Sequence, residues 1–180
     1  LQTYEQHGGI QYTAGHDDAR AAIVRDYLAD REARPQDTRV AMAHRRDDVR
    51  AINESIRQSL QKAGQLGAGP WGGEHTFQTS DGSRKFAAGD RVVFLENNRG
   101  LKVKNGMLGT VTALGDGQML VQVDGQVAPV QVVMKDYKAI DHGYATTIHK
   151  NQGATVDRGF VLASRSMDRH LTYVAMSRHR

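Results

Sequence analysis

Cysteine is absent from this chain of 180 residues. Its absence excludes a disulfide scaffold, a cysteine nucleophile and a thiolate metal site, and it fits a reducing cytoplasm, where we expect the protein to work. No apolar run approaches the ~20 residues that cross a bilayer, and the first residues do not resemble a signal peptide. Aromatic residues make up only 6% of the chain, which disfavours a surface that binds bases mainly by stacking.

Basic side chains are in slight deficit in the first part of the chain and in excess in the second. Acidic side chains slightly outnumber basic ones in residues 1–83, whereas basic side chains are in excess in residues 84–180, and the total is +4. A basic second half predicts a polyanionic partner, although a generic solvated surface gives the same pattern.

The first 60 residues have the pattern of an α/β fold. Asp17 and Asp18 precede an apolar stripe at helical spacing, which predicts a helix that ends before Pro35. An apolar strand is predicted over 38–44, and a second helix is predicted to follow Asp47 and Asp48. Helix, strand and helix in succession indicate an α/β sheet.

A glycine-rich stretch at 64–73 marks a boundary, after which short strands are predicted. The dipeptide Asn105-Gly106 is a strong hairpin signal, and tight turns join the following strands, so a small SH3-like barrel is expected. The α/β pattern returns later, with a helix or helical turn, an apolar strand and a last helix. The predicted strands of the middle part cover 91–95, 107–114, 118–124 and 127–133, and the last three elements cover 141–151, 159–163 and 167–178.

Two stretches near the end of the chain carry side chains suited to an anion. Arg178 continues the apolar stripe that begins at Leu171, so on a helix it would face inward and need an anionic partner. That partner is a nucleotide phosphate or a structural carboxylate, unless Arg178 only complements the helix dipole. In the other stretch, on the predicted helix over 141–151 and just beyond it, one face would carry Thr146, His149, Lys150 and Gly153. The alternative for this stretch is a solvated helix face that ends in a glycine cap.

These stretches resemble motifs of superfamily 1 DNA helicases, and the whole chain is similar to the C-terminal motor half of the RecD-like branch. Within that branch it most resembles the helicase part of TraA-type (MobF) conjugative relaxases. The similar segments are 147–153 (motif V), 171–178 (motif VI), 43–53 (the motif IV region), and 89–95 with 104–111 (the inserted barrel).

The resemblance implies a RecA-like second motor domain, formed by residues 1–73 and 139–180, that is interrupted by an SH3-like barrel at 74–138. It implies that Arg178 is catalytic and reaches the γ-phosphate of ATP. ATP with Mg²⁺ would be the cofactor of the full-length protein, and the partners would be single-stranded DNA and a first motor domain upstream in the same chain. Residues implied near the nucleotide are Gln152, Gly153, Thr155 and Arg178. Residues implied near DNA are Thr146, Thr147, His149, Lys150, Arg91, Lys102 and Lys104.

Several features of the nucleotide site are missing. The pattern G-x-x-x-x-G-K-[ST] does not occur, and no apolar strand ends in Asp-Glu. Thr155 stands where many relatives carry an acidic residue that holds the ribose. No H-E-x-x-H and no carboxylate cluster occur, so no metal site is expected.

Because the chain starts at Leu1 and lacks a phosphate loop, we expect a helicase fragment that is inactive alone. Its parent would translocate on DNA in plasmid transfer. Two alternatives remain: a non-catalytic module that binds single-stranded nucleic acid, and an RNA-binding or protein-docking barrel on an unrelated α/β domain.

Overall fold

The computed structural model describes residues 10–13, 15–70, 72–150, 155–163 and 171–177. These residues form two α-helices and twelve strands. The helices are α1 (His16–Ala33) and α2 (Arg46–Lys62). The strands are β1 (Ile10–Thr13), β2 (Arg39–Ala43), β3 (His75–Thr79), β4 (Gly82–Phe86), β5 (Arg91–Phe94), β6 (Leu108–Gly115), β7 (Gln118–Val123), β8 (Val130–Val133), β9 (Ile140–His142), β10 (Ala145–Thr147), β11 (Arg158–Ala163) and β12 (Leu171–Ser177).

The chain divides into two compact units. The first unit contains the described residues up to Ile56, then Tyr144–His149, and those from Val156 onward. Its five-stranded sheet has the order β1-β12-β11-β2-β10, with β2 parallel to both β10 and β11. Helix α1 packs on this sheet through Tyr27, whose ring lies 6.2 Å from those of Tyr144 and Phe160. The mixed α/β pattern expected for this part of the chain is therefore present.

The second unit contains Arg57–Gly143 together with Lys150 and Thr155. Its main sheet is antiparallel, in the order β8-β7-β6-β5-β9, and β3 and β4 form a separate two-stranded ribbon. Its core includes the fully buried Phe86, Phe94 and Met119. Within the described residues neither sheet closes on itself, because β8 and β9 each pair on one side only. The closed SH3-like barrel is therefore not confirmed.

Four of the elements predicted around the first sheet are confirmed: α1, α2, β2 and β11. The four predicted strands of the middle part correspond to β5, β6, β7 and β8. The Asn105-Gly106 turn forms, but it lies near the end of a 95–107 connection and does not join two strands directly. Three short elements, β1, β3 and β4, were not predicted.

The helix or helical turn predicted over 141–151 is wrong for most of its length. Residues 140–147 are extended, first as β9 and then as β10, which pairs in parallel with β2, and only 148–150 form a turn of 3₁₀ type. Gly143 separates the two strands, and a Cβ at this position would lie 2.4 Å from the carbonyl carbon of Val92. This close approach of two backbones fixes an extended path that a helix could not follow.

The helix predicted over 167–178 also differs from the structure, which has β12 at Leu171–Ser177. This strand pairs with β11 over six residues and with β1 over four. Ladder hydrogen bonds on both edges, together with threonine, tyrosine and valine in the segment, favour the extended form over the local helical periodicity. The helical stripe that would carry Arg178 is therefore not formed at Leu171–Ser177, and Arg178 itself lies outside the described residues.

Candidate nucleic-acid interface

The carboxyl ends of β2 and β10 lie side by side in the first unit because the two strands are parallel. His44 follows β2 directly, and His149 follows β10 by two residues. Their rings are 6.4 Å apart between centroids, in an edge-to-face arrangement, and both side chains are exposed. In open α/β sheets, ligands bind outside the carboxyl ends of the strands. We call the group formed by His44, Arg45, Arg46, Thr147 and His149 the edge cluster.

The amino terminus of α2 adds positive charge to the edge cluster. Arg45 and Arg46 are exposed, and within the described part of the chain neither forms a salt bridge. Two acidic residues follow in the same turn: Asp47 is exposed, whereas Asp48 is buried and contacts His16 at 2.5 Å and Arg20 at 3.7 Å. The first turn of a helix also carries a partial positive charge. The edge cluster thus combines two exposed guanidinium groups with hydrogen-bonding side chains, which suits phosphate groups.

Thr146 is not part of that surface. It is 4% exposed, and its Oγ1 has no hydrogen-bond partner. The side chains of a strand alternate between the two faces of a sheet, so Thr146 and Thr147 point in opposite directions. The helical face that grouped Thr146 with His149 and Lys150 does not exist, whereas Thr147 and His149 do lie at one sheet edge.

The remaining residues implied by the resemblance are distributed differently. Lys150 is half-buried and Thr155 is exposed, and both belong to the second unit. Gln152, Gly153 and Arg178 lie outside the described residues. Their placement near a nucleotide therefore remains a prediction.

In the second unit, Lys102 and Lys104 lie on the connection between β5 and β6. Both are exposed. The connection is held in shape by Asn98, which pairs with Val103 and accepts a hydrogen bond from the Leu101 N–H at 2.9 Å. The sequence reasoning missed Arg99, which is exposed on the same connection. The signal that could have found it is a basic residue between the Asn97-Asn98 pair and Gly100.

Arg91 is placed differently from these lysines. Its guanidinium forms two hydrogen bonds with the Asp124 carboxylate, at 2.7 and 2.6 Å, and a third with Thr110 at 3.2 Å. The side chain is 12% exposed. Arg91 therefore offers less free charge to a DNA strand than Lys102 and Lys104 do.

A buried ion pair anchors the segment that precedes Arg91. Asp90 is fully buried and accepts hydrogen bonds from Arg57 Nε and Nη2, all at 3.1 Å, and from the Ala87 N–H at 2.8 Å. Arg57 also reaches Glu74 at 2.7 Å. Burial alone would lower the pKa of Arg57, but the two carboxylates more than offset this, and its pKa is raised. The pair is a structural support of the second unit.

The described residues contain no group of three or more His, Cys, Asp or Glu side chains that could hold a metal ion. Neither of the two described helices is long and apolar enough to cross a membrane.

No protein-family model matches the chain. Curated proteins do match it. It is 44% identical over 183 residues to the probable conjugal transfer protein TraA of Sinorhizobium fredii, a match that covers 100% of the chain and 16% of the relative. It is 50% identical over 145 residues to the conjugal transfer protein TraA of Rhizobium radiobacter, covering 79% of the chain and 13% of the relative. RecD, a subunit of the RecBCD enzyme of Mycobacterium tuberculosis, is 30% identical over 144 residues, a match that covers 78% of the chain and 23% of RecD.

Solved structures of Pif1 helicases share the fold. A Pif1 chain from a study of DNA unwinding at forked duplexes superposes with a TM-score of 0.51 at 19% identity, covering 86% of this chain and 43% of that one. Bacteroides Pif1 in complex with ADP-AlF3 and single-stranded DNA gives a TM-score of 0.50, also at 19% identity, covering 86% and 45%. At this identity the likeness concerns the fold alone. The chain spans less than a quarter of the length of the curated relatives described above.

Proposed function

For a chain homologous to a segment of the TraA conjugal transfer proteins and of RecD-like helicases, we propose a role as the second motor domain of an ATP-dependent helicase. The parent protein would be a conjugative relaxase that translocates along single-stranded DNA during plasmid transfer. The edge cluster is the observation that carries this proposal, because it gathers exposed cationic and hydrogen-bonding side chains at the carboxyl ends of two parallel strands.

The edge cluster would bind the phosphates of the strand. Arg45 and Arg46 supply fixed charge, while Thr147 and His149 supply hydrogen bonds, and contacts of this kind position a strand without reading its sequence. In the second unit, Lys102, Lys104 and the neighbouring Arg99 would give a second set of phosphate contacts. Thr146 would act from below the surface, with its unpaired Oγ1 available to an adjacent backbone or water.

The nucleotide would be shared with a first motor domain upstream. Arg178 would reach the γ-phosphate and stabilise the charge that develops during phosphoryl transfer. Gln152, Gly153 and Thr155 would link the nucleotide to the DNA-binding segment. Mg²⁺ would neutralise phosphate charge when bound, with its ligands supplied outside the residues described for this chain.

The domain assignment is part of the same proposal. Residues 1–73 and 139–180 would form the RecA-like motor domain, and residues 74–138 would be an inserted domain related to SH3-like barrels. The antiparallel sheet of the second unit supports that relation. A purely non-catalytic binding module is not favoured, since the relatives and the structural neighbours include proteins named as helicases.

A binding experiment on the intact protein tests the proposal. Fluorescence anisotropy with labelled oligo-dT between 50 and 200 mM salt gives the affinity and its salt dependence. Each phosphate contact contributes about 0.7 to the slope of log K against log[salt] for single strands. Arg46→Ala should therefore weaken binding and lower the slope by about that amount. Lys135→Ala, which removes an exposed cation far along the chain, is the control. Equal effects of the two substitutions would contradict the proposed interface.

A further inference from the structure

Within the described residues β10 is the edge strand of its sheet, and its outer side is held by a side chain rather than by another strand. Tyr144 O accepts a hydrogen bond from Ala41 N–H at 2.9 Å, and Ile148 N–H donates to Ala43 O at 3.1 Å. The Tyr144 carbonyl and the Ile148 N–H therefore face β2. In a strand, the backbone groups of successive residues point alternately to the two sides, so those of Ala145 point the opposite way. The backbone groups of Ala145 thus point away from β2, to the open edge of the sheet.

Asn53, on helix α2, satisfies both of these groups. Its Nδ2 donates to Ala145 O at 3.0 Å, and its Oδ1 accepts from Ala145 N–H at 2.8 Å. The amide of Asn53 therefore reproduces the paired hydrogen bonds of a neighbouring strand. It brings together two residues that are 92 positions apart in sequence.

Burial makes this pairing consequential. Asn53 is 8% exposed and Ala145 is 1% exposed, so water cannot readily replace the lost partners. A buried backbone group without a partner is costly. The amide is carried by a packed part of the helix, since the preceding residue, Ile52, is fully buried. Alanine would remove both bonds, whereas aspartate would keep the acceptor and lose the donor.

We infer that Asn53 is a positioning residue for the edge cluster: it fixes β10 so that Thr147 and His149 are presented beside the start of α2. The DNA-binding role in this inference rests on the proposed function. The two hydrogen bonds between Asn53 and Ala145, which we call the clamp, do not depend on it. Asn53 lies on the same helix that begins with Arg46, so one rigid element holds both halves of the cluster.

Two measurements on the intact protein test the inference. Amide hydrogen exchange, read at Ala145 and at Val40 of strand β2, whose backbone faces β11, reports the loss of these bonds. Asn53→Ala should accelerate exchange at Ala145 roughly tenfold or more relative to Val40. Asn53→Asp, which keeps the acceptor for the Ala145 N–H, should accelerate it less. Ile56→Val is the matched control, because it removes a methyl group from a buried position of the same helix and leaves both hydrogen bonds of Asn53 in place.

Affinity for oligo-dT then separates positioning from general stability. Asn53→Ala should weaken binding about as much as His149→Ala does, and the double variant should lose less than about twofold more, because residues that act together are not additive. Ile56→Val should leave the affinity of the folded protein unchanged. Additive losses, or unchanged exchange at Ala145, would overturn the inference. Failure of the unaltered protein to bind oligo-dT would refute the proposed function and the positioning role with it, while exchange would still report the clamp.

Discussion

Loss of the Asp90 carboxylate should destabilise the second unit more than loss of an acidic residue at the surface. In Asp90→Ala, Arg57 loses its bonds to a fully buried partner, and the Ala87 N–H loses its acceptor. Breaking a buried pair costs about 3–5 kcal/mol. Glu74 stays within 2.7 Å of Arg57, so the guanidinium keeps one partner and the lower end of that range applies. We expect a loss of about 3 kcal/mol in the free energy of unfolding.

Urea denaturation measures this loss as a shift in midpoint at constant slope. The control is Asp17→Ala, since Asp17 is 88% exposed and its pair with Arg20 is a surface pair. Exposed pairs contribute about 0–1 kcal/mol. Arg57→Met, alone and combined with Asp90→Ala, completes a double-mutant cycle. A loss below about 1 kcal/mol in Asp90→Ala, or a coupling energy near zero, would refute a structural role for the pair.

Two further outcomes are expected for the second unit. Gly106→Ala should destabilise it more than Gly117→Ala. Both glycines have positive φ, but only a Cβ at Gly106 would meet another atom, the Lys150 carbonyl oxygen at 2.1 Å. Equal midpoints of the two variants in urea would contradict this. Burial raises the pKa of Tyr137, whose hydroxyl donates to Glu96 O at 2.7 Å. The neutral phenol is therefore favoured on folding, and stability should be complete below about pH 10 and fall as the pH rises further. Tyr137→Phe should flatten that fall in alkaline unfolding curves, and an unchanged curve would contradict the assignment.

The elements that the sequence predicted correctly are those with local signals. Helix α1 has acidic residues in its first turn and a proline just beyond its end, and α2 has buried Ile52 and Ile56 four residues apart. The hairpin between β6 and β7 follows from Gly115-Asp116-Gly117, where Asp116 and both glycines have positive φ. Caps, periodicity and turn residues act over a few positions, and a single sequence displays them fully.

The elements that were missed depend on partners far away in sequence. β10 has helical spacing of its polar residues, but its conformation is fixed by Ala41 on one side and Asn53 on the other. No local pattern reveals either contact. The ribbon of β3 and β4 depends in the same way on the packing of Phe77 against Phe86, whose rings lie 6.2 Å apart. Tertiary contacts of this kind override local propensity.

The resemblance to motif V does not depend on the secondary structure predicted for the segment, as the edge cluster illustrates. The grouping of Thr146 with His149 and Lys150 required a helix, and it fails because the segment is a strand. The resemblance to motif V required only the order of residues in 147–153, and it remains applicable to a strand end. Parallel pairing of β10 with β2 then brings His149 next to His44, which belongs to the segment that resembles motif IV. The two similar segments are about a hundred residues apart, yet they meet at one edge of one sheet. Asn53 lies at the end of the motif IV-like segment and holds the strand that precedes the motif V-like one, so a single amide joins both.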